Sequence, residues 1–166
     1  MSNPLTCYTD GAYKRSLDKG GWGAVWWETD FPKVQYLLYG GENSTTNQRM
    51  ELTAILQALM SMPKSRVVQL YSDSAYCLHG IVKDYGTMTR NGWMESWKRC
   101  GWTRGQSGGE VKNLNLWKAI DEAITAYETS GGEVWWYWVK GHSGDPGNDL
   151  ADDLSNRWIQ ETSLRP

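Results

Sequence analysis

Apolar and polar positions change their period several times along this chain. Leu5 to Ala12, Gly20 to Glu28 and Val34 to Tyr39 carry strand-type apolar, aromatic and β-branched residues, and Asp30-Phe31-Pro32 supplies a turn between the last two. Links this short favour antiparallel neighbours. The period then becomes helical. Leu52, Ile55, Leu56 and Leu59 recur on one face, and Pro63 marks the stop. Thr45 and Gln48 have capping-box spacing and place the helix start there. Arg66 to Tyr71 is again a strand-like run, and Ser74 is positioned to cap a second helix.

Asp84 to Gly109 is rich in Gly, Thr and Ser and shows no sustained period. Gly92 to Cys100 reads as a short helix within it, and Gly105 to Gly109 as a flexible loop. Leu116, Trp117, Ile120, Ala123, Ile124 and Tyr127 then mark an amphipathic helix ended by Gly131-Gly132. Glu133 to Val139 reads as a buried strand. A last helix carries Leu150, Ala151, Leu154 and Trp158 on one face. The order is three strands, then helices alternating with two further strands. Right-handed crossovers make those two strands parallel within one mixed sheet, with helices on both faces. The expected class is α/β. At 166 residues, with no linker, repeat or low-complexity stretch, residues 1–166 read as one domain.

Composition narrows the setting. No apolar run approaches the ~20 residues of a membrane span. The first seven residues, Met-Ser-Asn-Pro-Leu-Thr-Cys, lack the basic and apolar segments of a signal peptide. Cys7, Cys77 and Cys100 are odd in number and lack metal-ligand spacing, which fits a reduced, cytoplasmic protein. The formal net charge of −2 argues against generic phosphate binding. Acids gathered at one site would mask a basic patch elsewhere, however. Lys83, Arg90, Lys98, Arg99, Arg104 and Lys112 outnumber Asp84, Glu95 and Glu110 by three in one stretch, which also holds Trp93, Trp97 and Trp102.

Four acidic signatures then stand out. They are Thr9-Asp10-Gly11-Ala12, Asn47-Gln48-Arg49-Met50-Glu51-Leu52, Tyr71-Ser72-Asp73-Ser74, and Gly141-His142-Ser143-Gly144 followed by Asp152. Each puts a carboxylate at or near the end of an apolar segment. Asp10 falls late in the first strand, Asp73 follows the fourth at its carboxyl end, Glu51 lies beside the first helix's apolar stripe, and Asp152 follows the His142 loop. Carboxyl ends of strands are where open α/β sheets bind ligands. Carboxylates that converge without basic partners need a hard divalent cation such as Mg²⁺, and the open ligand positions of Mg²⁺ suit phosphate substrates. Each signature alone has an ordinary explanation. Asp-Gly is a turn pair, Asp73-Ser74 a helix cap, Asp149, Asp152 and Asp153 dipole partners, and His142 a loop residue. Their occurrence together, in order and on compatible elements, favours a site.

With these motifs, from Tyr8-Thr9-Asp10-Gly11 through Trp138-Val139-Lys140-Gly141-His142 to Trp158, the chain resembles type 1 ribonuclease H. Thr46-Asn47-Gln48-Arg49-Met50-Glu51 and Asn148-x-x-x-Asp152-x-Leu154 carry the resemblance most specifically. It implies a five-stranded mixed sheet, three strands antiparallel and two parallel, flanked by helices. It implies endonucleolytic cleavage of the RNA strand of RNA–DNA hybrids by two Mg²⁺ ions, with Mn²⁺ a substitute, leaving 5′-phosphate and 3′-hydroxyl ends. Asp10, Glu51, Asp73 and Asp152 match the catalytic, metal-holding acids, the last chosen over Asp149 and Asp153 by its distance from the loop histidine. His142 matches a mobile histidine that helps place the attacking water or release product. Asn47 and Gln48 match minor-groove contacts, Thr46 and Asn113 a pocket for a DNA-strand phosphate, and Trp93 and Trp97 the lining of a DNA channel. Taken alone, their i, i+4 spacing favours a buried core stripe instead. Trp26, Trp27, Trp135, Trp136 and Trp138 read as packing. The resemblance also implies a monomer. Two departures are visible: Asp84 to Asn91 looks like an insertion, and the protrusion that follows is only modestly basic.

Overall fold

The computed structural model describes residues 3–105 and 108–164. Strand β1, Leu5–Lys14, forms a hairpin with β2, Lys19–Glu28, which pairs antiparallel with β3, Tyr36–Asn43. Helix α1, Asn47–Ser61, leads to β4, Val67–Ser72, which lies parallel to β1. Helices α2, Ala75–Ile81, α3, Trp93–Arg99, and α4, Leu114–Thr129, precede β5, Glu133–Trp138, parallel to β4. Helix α5, Pro146–Ser163, ends the order. The sheet runs β3-β2-β1-β4-β5. Both crossovers deliver parallel strands, as the sequence pattern requires.

Helix α1 packs on β1, β2 and α4 on one face of the sheet, while α5 covers β1, β2 and β3 on the other. The main core lies on the α1 side and includes Cys7, Leu52, Ile55, Leu70, Trp117, Ile120 and Trp136. A smaller cluster of Tyr8, Val25, Ala151 and Leu154 sits under α5. That helix seats closely because β2 lacks side chains where it crosses. A Cβ on Gly23 would lie 2.5 Å from Leu154 Cβ and 2.7 Å from Ala151 O, and one on Gly21 would run into Ser155 O. Rings also stack across strands on this face, with Tyr8 4.7 Å from Tyr71 and Tyr71 5.0 Å from Tyr137.

Several boundaries differ from the sequence reading for local reasons. The third strand begins at Tyr36 rather than Val34 and continues to Asn43, because β2 offers it a partner as far as Lys19. Gly40 and Gly41 remain inside the strand under the rings of Trp22 and Trp158. The cap of α1 is Thr46, whose hydroxyl accepts from Arg49 N–H at 3.1 Å. Thr45 is buried and donates to Glu42 Oε1 at 2.6 Å, so its hydroxyl is already engaged. Ser74 caps α2 as expected, and Gly131 adopts φ 92 just past α4. Of the Gly105–Gly109 loop, residues 106 and 107 lie outside the described residues. The flanking arms are tied by a Thr103–Glu110 bridge and an Arg104 N–H to Gly109 O bond of 3.3 Å.

The tryptophans divide. Trp26 and Trp136 are core, and Trp27 and Trp135 are half-buried. Trp138 departs from the packing assignment and is 45% exposed, because β5 ends there and its ring passes the sheet rim. No helix among the described residues is long and apolar enough to cross a membrane.

Candidate active site

Strand register brings the first two acids together. Thr9 pairs with Ser72 across the parallel β1–β4 ladder, so Asp10 and Asp73 each follow by one residue at the same end of adjacent strands. Asp10 is 4% exposed, and its Oδ1 accepts from Gly11 N–H at 2.9 Å. Glu51 comes from the second turn of α1 and is 4% exposed. One carboxylate oxygen from each of Asp10, Glu51 and Asp73 lies within 4.8 Å of the others. Asp152, in the second turn of α5, lines the same cavity of about 320 Å³, together with Gly11, Asn47, Ser74 and His142. Asp149 and Asp153 are exposed and stand outside it.

Glycines set the spacing. A Cβ on Gly11 would run into Glu51 N and lie 2.6 Å from the Met50 carbonyl carbon. This absence of a side chain lets α1 deliver Glu51 against β1. Gly11→Ala therefore pushes the helix off the strand. It should destabilise the fold by about 1–3 kcal/mol, the usual cost of overpacking, and lower activity. Urea unfolding beside a cleavage assay checks both. A Cβ on Gly141 would come 2.8 Å from Asp73 Oδ2, so the loop carrying His142 also lies directly on the acids. His142 itself is exposed and takes φ 55, a left-handed conformation uncommon for a side-chain-bearing residue. The N-terminus of α5 is fixed by Asp145, which accepts from Gly147 N–H at 3.0 Å and from the Tyr8 hydroxyl at 3.2 Å.

The acids strain one another electrostatically. Burial first, and then the Asp73 and Asp152 carboxylates, push Asp10 up from 3.8 to about 8. Bonding within the cluster and the Gly11 N–H oppose that rise. Glu51 is raised well above its ordinary value by burial and by the charges of Asp10 and Asp73. Asp73 is raised by burial and by Asp152. None of the ion pairs among the described residues involves these four. Glu51 Oε2 is buried without a hydrogen-bond partner. An all-oxygen, all-anionic set with one orphaned donor atom fits a hard divalent cation.

The other expected site residues are spread around this cavity. Asn47 lines it, and Gln48 is exposed one residue further along α1. Thr46 is committed to capping. Asn113 starts α4 at φ 60 and donates to the Tyr76 hydroxyl at 3.4 Å, so among the described residues no hydrogen bond joins it to Thr46. Trp93 and Trp97 line a separate cavity of about 350 Å³ with Tyr76, Arg104, Val111 and Lys112. Trp93 is 45% exposed, so it is not core, whereas Trp97 packs edge-on against Trp117 at 5.4 Å. The basic stretch is less available than its count suggests. Arg90 pairs with Asp121, Glu95 and Glu128, and Lys98 pairs with Glu95 and Asp121. Trp138, which the sequence assigned to packing, stands at the cavity rim and donates from Nε1 to Asp73 O at 3.2 Å. Its place next to Val139-Lys140-Gly141-His142 was the available signal.

This sheet order, carrying a carboxylate cavity at the ends of its central strands, defines the ribonuclease H-like class of nucleases. The RNase H family model matches residues 2–160. A Ribonuclease H of Pseudomonas paraeruginosa is 42% identical over 157 residues, covering 95% of this chain and 94% of that protein. A Ribonuclease H of an Acidovorax species is 42% identical over 159 residues, covering 96% of this chain and 97% of that one. The crystal structure of LC9-RNase H1, a type 1 RNase H with the type 2 active-site motif, matches with a TM-score of 0.75 at 25% identity. That match covers 97% of this chain and 74% of the other. The chain belongs to the ribonuclease H family, and it is an enzyme, a nuclease of the hydrolase class.

Proposed function

We propose that the chain cleaves the RNA strand of RNA–DNA hybrids at the Asp10–Glu51–Asp73–Asp152 cavity, with two Mg²⁺ ions held by those carboxylates and Mn²⁺ a possible substitute. The observation that carries this reading is the convergence of three carboxylates, oxygens within 4.8 Å, from β1, α1 and the end of β4, none of them in an ion pair among the described residues. Divalent ions bound there supply charge neutralisation for attack on a phosphodiester and for departure of its 3′ oxygen. The chain's residues do the remainder. Asp10 lies within reach of both Glu51 and Asp73. Asp152 closes the cavity from α5. His142 lines the cavity from its exposed loop, where it is suited to helping place the attacking water or release product. Asn47, with an amide that both donates and accepts, faces the same cavity and is suited to the 2′-hydroxyl that marks RNA.

The test is cleavage of labelled RNA–DNA hybrid, duplex DNA and duplex RNA, each in Mg²⁺ and in EDTA. Only hybrid in Mg²⁺ should be cut, giving 5′-phosphate and 3′-hydroxyl ends. Intact hybrid, or cleavage that persists in EDTA, removes the proposal. With Arg90 and Lys98 engaged in internal pairs, the modestly basic protrusion offers phosphates fewer cations than its composition suggests. The log–log salt dependence of hybrid binding should be shallower than about −6, and a steeper slope would show some six or more neutralised phosphates.

A further inference from the structure

The Asp84–Asn91 insertion connects α2 to α3, and it is anchored rather than slack. Gly86 N–H donates to Trp136 O at 2.7 Å, and Trp136 N–H donates to Thr87 O at 3.0 Å. These bonds make an antiparallel bridge on the otherwise free edge of β5. Lys83 N–H donates to Asn91 Oδ1 at 2.8 Å and closes the base of the segment. The anchoring leaves the Tyr85 ring beside Trp138, centroids 6.2 Å apart and planes 18° from parallel. The Tyr85 hydroxyl lies 3.0 Å from His79 Nε2, which holds the ring in place. His79 in turn stands 6.1 Å from Trp93, and Trp93 6.3 Å from Trp97.

The result is one strip of rings from the rim of the carboxylate cavity to the Trp93–Trp97 cavity. Its near end is Trp138, bonded to the backbone of Asp73. Trp138, Tyr85 and Trp93 remain 45%, 40% and 45% exposed, an aromatic surface left open among the described residues. Lys83 and Lys140 are exposed two residues from Tyr85 and Trp138, and neither forms an ion pair among the described residues. Asp84, also exposed, stands beside Lys83. We infer that the 84–91 segment makes Tyr85 a substrate-contact residue, and that the Trp138–Tyr85–His79 part of the strip takes unpaired bases continuing beyond the hybrid held at the carboxylates. Paired bases keep their faces stacked inside the duplex. Unpaired ones present a π-face that aromatic side chains accept without regard to sequence. This inference rests on the hybrid-cleaving reading of the cavity.

The experiment compares the KM for a blunt hybrid with that for the same hybrid carrying a five-nucleotide unpaired tail, DNA in one arm and RNA in the other. The wild-type enzyme should show a KM about five-fold or more lower with a tail in at least one arm, the size expected of base–aromatic stacking, with kcat unchanged. Tyr85→Ala should erase that difference and leave KM for the blunt hybrid as it was. Tyr85→Phe keeps the ring while losing the His79 bond, and should retain the preference. Thermal melts identify any loss that comes from the β5 edge instead. Wild-type cleavage that ignores both tails, or a preference that survives Tyr85→Ala, overturns the inference while leaving the hybrid reading intact. Failure of the wild-type enzyme to cut any hybrid overturns both.

Discussion

Asp10→Asn is expected to lower hybrid cleavage by at least three orders of magnitude while leaving the fold in place. Asparagine has nearly the same shape, and its side-chain oxygen can still accept from Gly11 N–H as the native carboxylate does. The loss is therefore one of charge. Asp10 interacts with Glu51 from α1, with Asp73 just past β4 and with Asp152 from α5. Removing its charge would weaken the hold on divalent ions that those carboxylates would bind. Divalent ions contribute several kcal/mol to phosphoryl chemistry, and each ~1.4 kcal/mol is a factor of ten in rate. Circular dichroism should superimpose on the wild type. A purified Asp10→Asn enzyme with more than about a tenth of normal kcat would take Asp10 out of the centre.

The second large effect runs in the opposite direction. In EDTA and at alkaline pH, Asp10→Asn should be more stable than the wild type. Burial and its acidic neighbours raise Asp10 from 3.8 to about 8. Between those values the folded chain holds a proton that the unfolded chain has released. Stability must then fall as pH climbs through this window. The contribution is fully present below the unfolded value and gone above about 8. At 1.36 kcal/mol per pH unit the ceiling for Asp10 is about 6 kcal/mol. Because Glu51 and Asp73 are raised by the same crowding, a net loss on the order of 2 kcal/mol is the realistic scale. In a chain of this size that is about 4–8 °C in Tm. Melts at pH 5, 7 and 9 in EDTA check it, and saturating Mg²⁺ should return the wild type to the level of the variant. Equal alkaline slopes for both proteins would mean that the cluster is not crowded in solution.

The acid cluster was legible because each carboxylate rides on an element with a strong period of its own. Cys7 and Tyr8 alternate into Asp10, the apolar face of α1 brings in Glu51, and β4 ends one residue before Asp73. Once β1 and β4 are parallel, their register does the rest. What could not be read depends on groups far apart in the chain. Arg90 looks like a free cation until α4 brings Asp121 and Glu128 to it. Thr45 and Thr46 are indistinguishable as caps until Glu42 takes the first hydroxyl. Trp138 looks like its alternating neighbours until the strand stops beneath it. The segment 84–91 showed no period because its order comes from Trp136 rather than from itself.

The bare positions on β2 carry a cost for anyone who would strengthen this protein. By strand propensity alone, Gly21 and Gly23 are the obvious places to install valine or threonine. Those methyl groups would occupy the space of Ser155 O and Leu154 Cβ and lever α5 outward. Asp152 rides on that helix, so a sturdier sheet would carry away the fourth wall of the reaction chamber.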